Sequence, residues 1–117
     1  MGRRGRQREA ERLKAATSEY RDPQGNVLVL RGSLTPAARA EYQRVRAGGL
    51  DREDAWQRAT ELLFERLAVS WTIAGLKISR QKELLGRYRM ASGEERSFVR
   101  DALRDHVSAN FRELQAP

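Results

Sequence analysis

The fold predicted from this sequence rests on residues 51–75, DREDAWQRATELLFERLAVSWTIAG. Asp51 is a typical helix N-cap, and the acids at 53 and 54 suit the positive end of a helix dipole. On a helical wheel the apolar side chains cover an arc of roughly 220°, far wider than the ~100° stripe of an ordinary surface helix. The pattern therefore predicts a central helix over about 52–74, contacted from several sides and ended by Gly75.

Three further helices are predicted around this central one. Thr35-Pro36 is typical of a helix start and Gly48-Gly49 of a helix end, which gives a helix over about 36–47. Ser79 is expected to cap a helix over about 80–91. The Ser92-Gly-Glu-Glu95 sequence has the pattern of a capping box, and it predicts a helix over about 93–114.

A hairpin and an arm complete the predicted architecture. The loop Asp22-Pro23-Gln24-Gly25, followed by the apolar run 27–30, predicts a β-hairpin over 18–32. Residues 1–17 are expected to form a basic arm, flexible or partly helical, because Leu13 alone offers it a large apolar side chain to bury. The expected fold class is mainly α: a compact four-helix domain over 18–117, with a small N-terminal β-hairpin and a basic, partly disordered arm.

The net charge of +7 is concentrated in two short segments. Residues 3–14 carry six cations against two acids, and residues 77–89 carry five cations against one, so each segment has a charge of +4. The remaining twelve cations and thirteen anions sum to −1. Because clustered charge creates a local potential that scattered charge does not, the pattern indicates an anionic partner.

The candidate nucleic-acid-binding residues are ten of the eleven cations of these two segments: Arg3, Arg4, Arg6, Arg8, Arg12, Lys77, Arg80, Lys82, Arg87 and Arg89. On the helix predicted over 80–91 the basic residues lie on its two flanks, while Glu83, Gly86 and Met90 face outward. These three are poor residues for reading base edges, so the helix is expected to bind phosphates with little sequence specificity. A helix-turn-helix over 67–90 is a weaker alternative.

Composition limits the other classes of function. A chain of 117 residues is expected to form one domain. It has no cysteine, which excludes disulfides and thiolate sites and fits a cytoplasmic protein. We expect no secretory signal and no membrane span, since the longest uncharged apolar stretch, 67–76, is shorter than the ~20 residues that a bilayer requires.

The sequence offers little for catalysis. It has one histidine, no phosphate-binding glycine loop and no nucleophile elbow, so we expect no enzyme activity, catalytic residue, metal or cofactor. The carboxylate pairs at 61/65 and 101/105 are expected to lie on solvated helix faces. His106 is expected to be half-buried and hydrogen-bonded to Asn110 or a backbone carbonyl, and Tyr88 to pack in the core.

Two hypotheses for function remain open. The first is a small, non-enzymatic protein that contacts the phosphate backbone of DNA or RNA. The second is a helical adaptor or assembly protein, a homodimer or the partner of another protein, of the kind that phages and mobile elements carry as accessory proteins. The very wide apolar arc and Arg66 within it favour the second hypothesis.

Overall fold

The computed structural model describes residues 17–49 and 51–114. These residues form four strands and four helices, which in chain order are β1 (Thr17–Arg21), β2 (Val27–Arg31), α1 (Pro36–Ala47), α2 (Arg52–Leu67), β3 (Ala68–Ile73), β4 (Leu76–Ile78), α3 (Gln81–Arg89) and α4 (Gly93–Asn110). The strands pair in the order β1-β2-β3-β4, and every neighbouring pair is antiparallel. The basic arm predicted over 1–17 lies outside the described residues, apart from Thr17.

The predicted fold class is wrong. The protein is an α+β structure with a four-stranded antiparallel sheet, not a four-helix domain with a small hairpin. The error lies in the helix predicted over 52–74, which ends at Leu67 and is followed directly by β3. The helix-turn-helix over 67–90 is wrong for the same reason, because residues 68–78 form a hairpin.

The β3–β4 hairpin turns at Ala74-Gly75. Both residues have positive φ, 51° and 80°, as a two-residue type I′ turn requires. The Asn26 side chain accepts a hydrogen bond from the Ala74 amide at 3.0 Å and ties this turn to the β1–β2 hairpin. β3 is rich in β-branched residues, which favour a strand. Alternate residues of a strand, such as Trp71 and Ile73, share one face but lie about 200° apart on a helical wheel, so the side chains of β3 widened the apolar arc.

The sheet buries one of its two faces. Leu28, Leu30 and Trp71 point to this inner face and are almost fully buried. They join one core cluster with residues of α2, α3 and α4, among them Phe64, Leu84 and Leu103. The ring of Phe64 contacts Trp71 edge-on, with centroids 5.8 Å apart. The residues that alternate with them point to the outer face, whose charged members are Glu19, Arg21, Arg31 and Lys77.

Most local signals for helix ends and turns are confirmed. The hydroxyl of Thr35 and the carboxylate of Asp51 accept backbone amides at the starts of α1 and α2, and Ser92 forms the predicted capping box with Glu95. The Asp22–Gly25 loop closes with a 3.0 Å hydrogen bond from the Gly25 amide to the Asp22 carbonyl.

Two further helices, α3 and α4, differ from the prediction in where they begin or end. Helix α3 begins at Gln81 and ends at Arg89, and its N-cap is Arg80 rather than Ser79, because the first intrahelical bond runs from the Leu84 amide to the Arg80 carbonyl. Helix α4 ends at Asn110, four residues before the predicted end.

The Ala74-Gly75 turn gives a direct test of the hairpin. Ala74→Asn should raise the free energy of unfolding by about 0.5–1 kcal/mol, since asparagine tolerates positive φ better than alanine. Gly75→Ala should lower it by about 1 kcal/mol or more. Urea denaturation measures both values. A loss of stability in Ala74→Asn would contradict the turn, because asparagine destabilises a helix interior relative to alanine.

Candidate nucleic-acid interface

The predicted basic segment 77–89 divides into two sets of residues. Arg87 and Arg89 are ion-paired: Arg87 lies 2.5 Å from Glu95 of α4, and Arg89 donates to Glu61 of α2 through its Nε at 3.0 Å. The guanidinium of Arg87 also lies 5.5 Å from the centre of the Trp71 ring. These two arginines connect α3 to the helices on either side of it, and their charges are largely neutralised.

The other three cations are exposed and free of carboxylates. Lys77, Arg80 and Lys82 form no ion pair with any residue between 17 and 114 that the structure describes. Lys77 alternates with residues of the inner sheet face, so it lies on the outer face, opposite Thr72. Arg80 and Lys82 lie at the N-terminal end of α3. A helix N-terminus is itself positive, so these two cations add to its potential and do not stabilise the helix.

The fold adds Arg31 to this set. Arg31 lies at the end of β2, is exposed, and its guanidinium has no ion-pair partner among the described residues. It lines a cleft of about 200 Å³ together with Ser79 and Gln81, which flank Arg80. Gln81 closes part of this cleft by donating to the backbone carbonyl of Glu65 at 3.3 Å. We refer to Arg31, Lys77, Arg80 and Lys82 as the basic surface.

The strand register joins the arm to the basic surface. Residues 1–16, which include the predicted site residues Arg3, Arg4, Arg6, Arg8 and Arg12, lie outside the described part of the chain. Their point of attachment, Thr17, is the β1 residue that pairs with Arg31. The arm is therefore attached beside Arg31 and the cleft that Arg31 shares with Ser79 and Gln81. Lys77 lies toward the other end of the sheet, because it is opposite Thr72, which pairs with Val27.

Arg31 was not among the binding residues predicted from the sequence, because a single cation that follows an apolar strand does not form a cluster of charge. The alternation of β2 carried a usable signal, since Leu28 and Leu30 point inward and Arg31 must then share the outer face with Val27 and Val29. The ion pairs of Arg87 and Arg89 could not be predicted from the sequence in this way. Their partners are 8 and 28 residues away and meet them through tertiary packing.

Two other residues noted in the sequence, Tyr88 and Arg66, have structural roles. Tyr88 is 8% exposed and stacks on Phe64, with ring centroids 4.8 Å apart, so it packs in the core as predicted. Arg66 is ion-paired with Glu41 at 3.2 Å on the surface.

His106 is fully buried, rather than half-buried, between α4 and the hairpin. One ring nitrogen, Nε2, lies 2.7 Å from the carbonyl oxygen of Arg31, and Nδ1 lies 2.8 Å from the hydroxyl of Tyr20. A carbonyl can only accept, so Nε2 carries the proton and Nδ1 accepts from Tyr20 and, at 3.3 Å, from Asn110. The predicted hydrogen bond to Asn110 or a carbonyl is confirmed.

Comparison with known protein families, with curated proteins and with solved structures finds no significant match. Among the described residues, no helix is both long and apolar enough to cross a membrane. What the protein does is therefore inferred from its own residues.

The buried imidazole predicts a pH-dependent stability. Burial lowers the pKa of His106, against a smaller opposite effect of its hydrogen bond to Arg31. The unfolded chain takes up a proton near pH 6.5, while the folded protein resists it until a lower pH. The free energy of unfolding should thus be constant above about pH 7 and fall toward pH 5, by at most about 1.4 kcal/mol per pH unit.

Urea denaturation at pH 5, 6, 7 and 8 measures this effect. His106 is the sole histidine of the chain, so His106→Gln should lose most of the dependence between pH 5 and 7 while having a lower stability overall. An equal pH dependence in the variant would show that other groups cause it.

Proposed function

We propose that this protein is a small, non-enzymatic binding protein that contacts the phosphate backbone of nucleic acid and reads little base sequence. The observation that carries the proposal is the pairing of Thr17 with Arg31, which attaches the arginine-rich segment 1–16 beside the basic surface. The cations of the arm and the exposed cations near its point of attachment can contact one polyanion together, and each contact with a phosphate releases counterions.

The absence of ion pairs at the basic surface supports a phosphate partner. Seven ion pairs connect other arginines of the described residues to carboxylates. Arg31, Lys77, Arg80 and Lys82 form no ion pair with a carboxylate of the described residues, although Glu65 also lines the cleft of Arg31. Their side chains are exposed to an external anion, and the guanidinium fork matches phosphate oxygens. Of the amide side chains that could read base edges, Gln81 already donates to Glu65.

The main argument for the adaptor hypothesis was the wide apolar arc of a single helix over 52–74. These residues instead form the helix α2 and the strand β3. The apolar side chains of residues 68–73 belong to the sheet, where Trp71 and Ala68 are buried in the protein's own core. Arg66 is ion-paired rather than placed for a partner. The same proposal places the protein in the cytoplasm, since a chain without cysteine fits a reducing compartment that contains nucleic acid.

Removing the charges of the basic surface should flatten the salt dependence of binding. In Lys77→Gln/Arg80→Gln/Lys82→Gln the slope of log K against log salt for duplex DNA should decrease in magnitude by about 2–3, at roughly 0.9 per lost phosphate contact. The control Arg44→Gln/Arg52→Gln/Arg112→Gln removes the same charge from exposed positions elsewhere and should change the slope by less than about 1. Fluorescence anisotropy at several salt concentrations measures the slope for both variants. Equal slopes in the two variants would refute the assignment of the basic surface as a phosphate-binding site.

Deleting residues 1–14 tests the contribution of the arm. The truncated protein should bind duplex DNA, single-stranded DNA and RNA more weakly than the full chain, with a flatter salt dependence, because up to six cations are removed. Circular dichroism should show that the folded part is retained. Unchanged affinity and slope for all three nucleic acids would exclude a role for the arm.

A further inference from the structure

A second cleft lies between α2, α3 and α4, away from the basic surface. Its volume is about 190 Å³, and its walls include two aromatic rings and three arginines: Trp56, Tyr88, Arg89, Arg96 and Arg100. Of these arginines Arg89 is neutralised by Glu61, which also lines the cleft. Arg96 and Arg100 form no ion pair with any described residue.

Each of the two free guanidinium groups lies near an aromatic ring and donates one hydrogen bond to the protein. Arg96 lies 5.8 Å from the centre of the Tyr88 ring and donates to the backbone carbonyl of Arg89 at 2.7 Å. Arg100 lies 5.0 Å from the centre of the Trp56 ring and donates to the hydroxyl of Ser97 at 3.3 Å. Being four residues apart, they project from the same face of α4. Stacking restricts their motion, so less entropy is lost when they bind an anion.

The hydroxyl of Tyr88 completes this arrangement. Tyr88 is more than nine-tenths buried, yet its hydroxyl makes no hydrogen bond with the described part of the protein. The charged groups that affect its pKa, after the dominant rise caused by burial, are Arg96, Arg100 and Glu61. Tyr88 lines the cleft together with all three of these charged residues, and its hydroxyl is available there as a donor next to two cations.

The size of the cleft limits what it can hold. Sites for drug-sized ligands measure about 300–1,000 Å³. A cleft of about 190 Å³ suits one small group of a larger molecule better than a complete nucleotide. Two guanidinium groups and a hydroxyl are donors for an oxyanion, and a tetrahedral phosphate can accept from all three at once.

The cleft also lies on a path from the basic surface. Lys82 and Arg89 are seven residues apart, so they share one flank of α3, about 10 Å apart along its axis. Arg89 is in the wall of the cleft. A nucleic-acid strand that contacts Lys82 can therefore follow this flank of α3 to the cleft.

We propose that this cleft binds one backbone phosphate of the nucleic-acid strand that the basic surface holds, through Arg96, Arg100 and the hydroxyl of Tyr88. This inference rests on the proposed function for the identity of the strand. The cleft adds a second contact, at which oriented donors fix the position of the nucleic-acid strand, whereas the basic surface holds the strand by charge alone.

The test uses the full-length protein and a single-stranded oligonucleotide. Arg96→Gln/Arg100→Gln should reduce the magnitude of the salt slope by about 0.7, the value for one phosphate contact on a single strand. The matched control is Arg104→Gln/Arg112→Gln, which removes the same charge at positions outside the cleft walls. If the wild type binds with a steep salt dependence and both double variants have the same slope, the cleft assignment is overturned and the proposed function stands. If the wild type binds no oligonucleotide, the proposed function itself fails.

A measurement on the wild type removes any dependence on how the variants fold. The protein has two tryptophans, and Trp56 lines the cleft while Trp71 is buried under Arg87 outside it. In ¹H–¹⁵N NMR spectra, thymidine 5′-monophosphate should shift the indole N–H signal of Trp56 and leave that of Trp71 unchanged, and thymidine without phosphate should shift neither. Trp56→Phe assigns the two signals. Equal effects of the nucleotide and the nucleoside would overturn phosphate recognition by the cleft.

Discussion

Burial of the inner sheet face against the helices determines where the charged groups of this protein lie. Trp71 is packed on that face between the ring of Phe64 and the guanidinium of Arg87. Because strand residues alternate, fixing Trp71 inward fixes Thr72, and with it the opposing Lys77, outward. The same alternation in β2 places Leu30 in the core and Arg31 outside. The position of the basic surface is thus a consequence of apolar packing.

The same packing divides the cations of residues 77–89 by role. Arg87 and Arg89 lie where α3 faces α4 and α2, and carboxylates of those helices meet them. Partly exposed pairs of this kind contribute about 0–1 kcal/mol each, so they orient α3 more than they stabilise it. Arg80 and Lys82 precede or begin the helix, where no carboxylate of the described residues reaches them. Neutralised charge therefore supports the fold, and free charge is left for a partner.

Local signals predicted local structure well, while tertiary constraints were not visible in the sequence. Thr35, Asp51 and Ser92 cap helices because the interaction of a cap is complete within four residues. No glycine or other typical capping residue marks the change from helix to strand after Leu67, and the alternate apolar residues of a short strand also fit a helical wheel. Likewise Lys77, Arg80 and Lys82 could be named as a cluster from the sequence, but Arg31 meets the residues that flank Arg80 only through the tertiary packing that forms their common cleft.

Mapping the contacts of a bound oligonucleotide on the protein by ¹H–¹⁵N NMR tests the central claim most directly. With a short single-stranded oligonucleotide at low salt, the largest shifts should occur at the amides of Arg31, Thr17 and residues 77–82, and they should disappear at high salt. Amides on the exposed side of α1, which carries Arg44 and Arg46, should change little. Shifts centred on α1, or no shifts at low salt, would contradict the assignment of the basic surface as a phosphate-binding site.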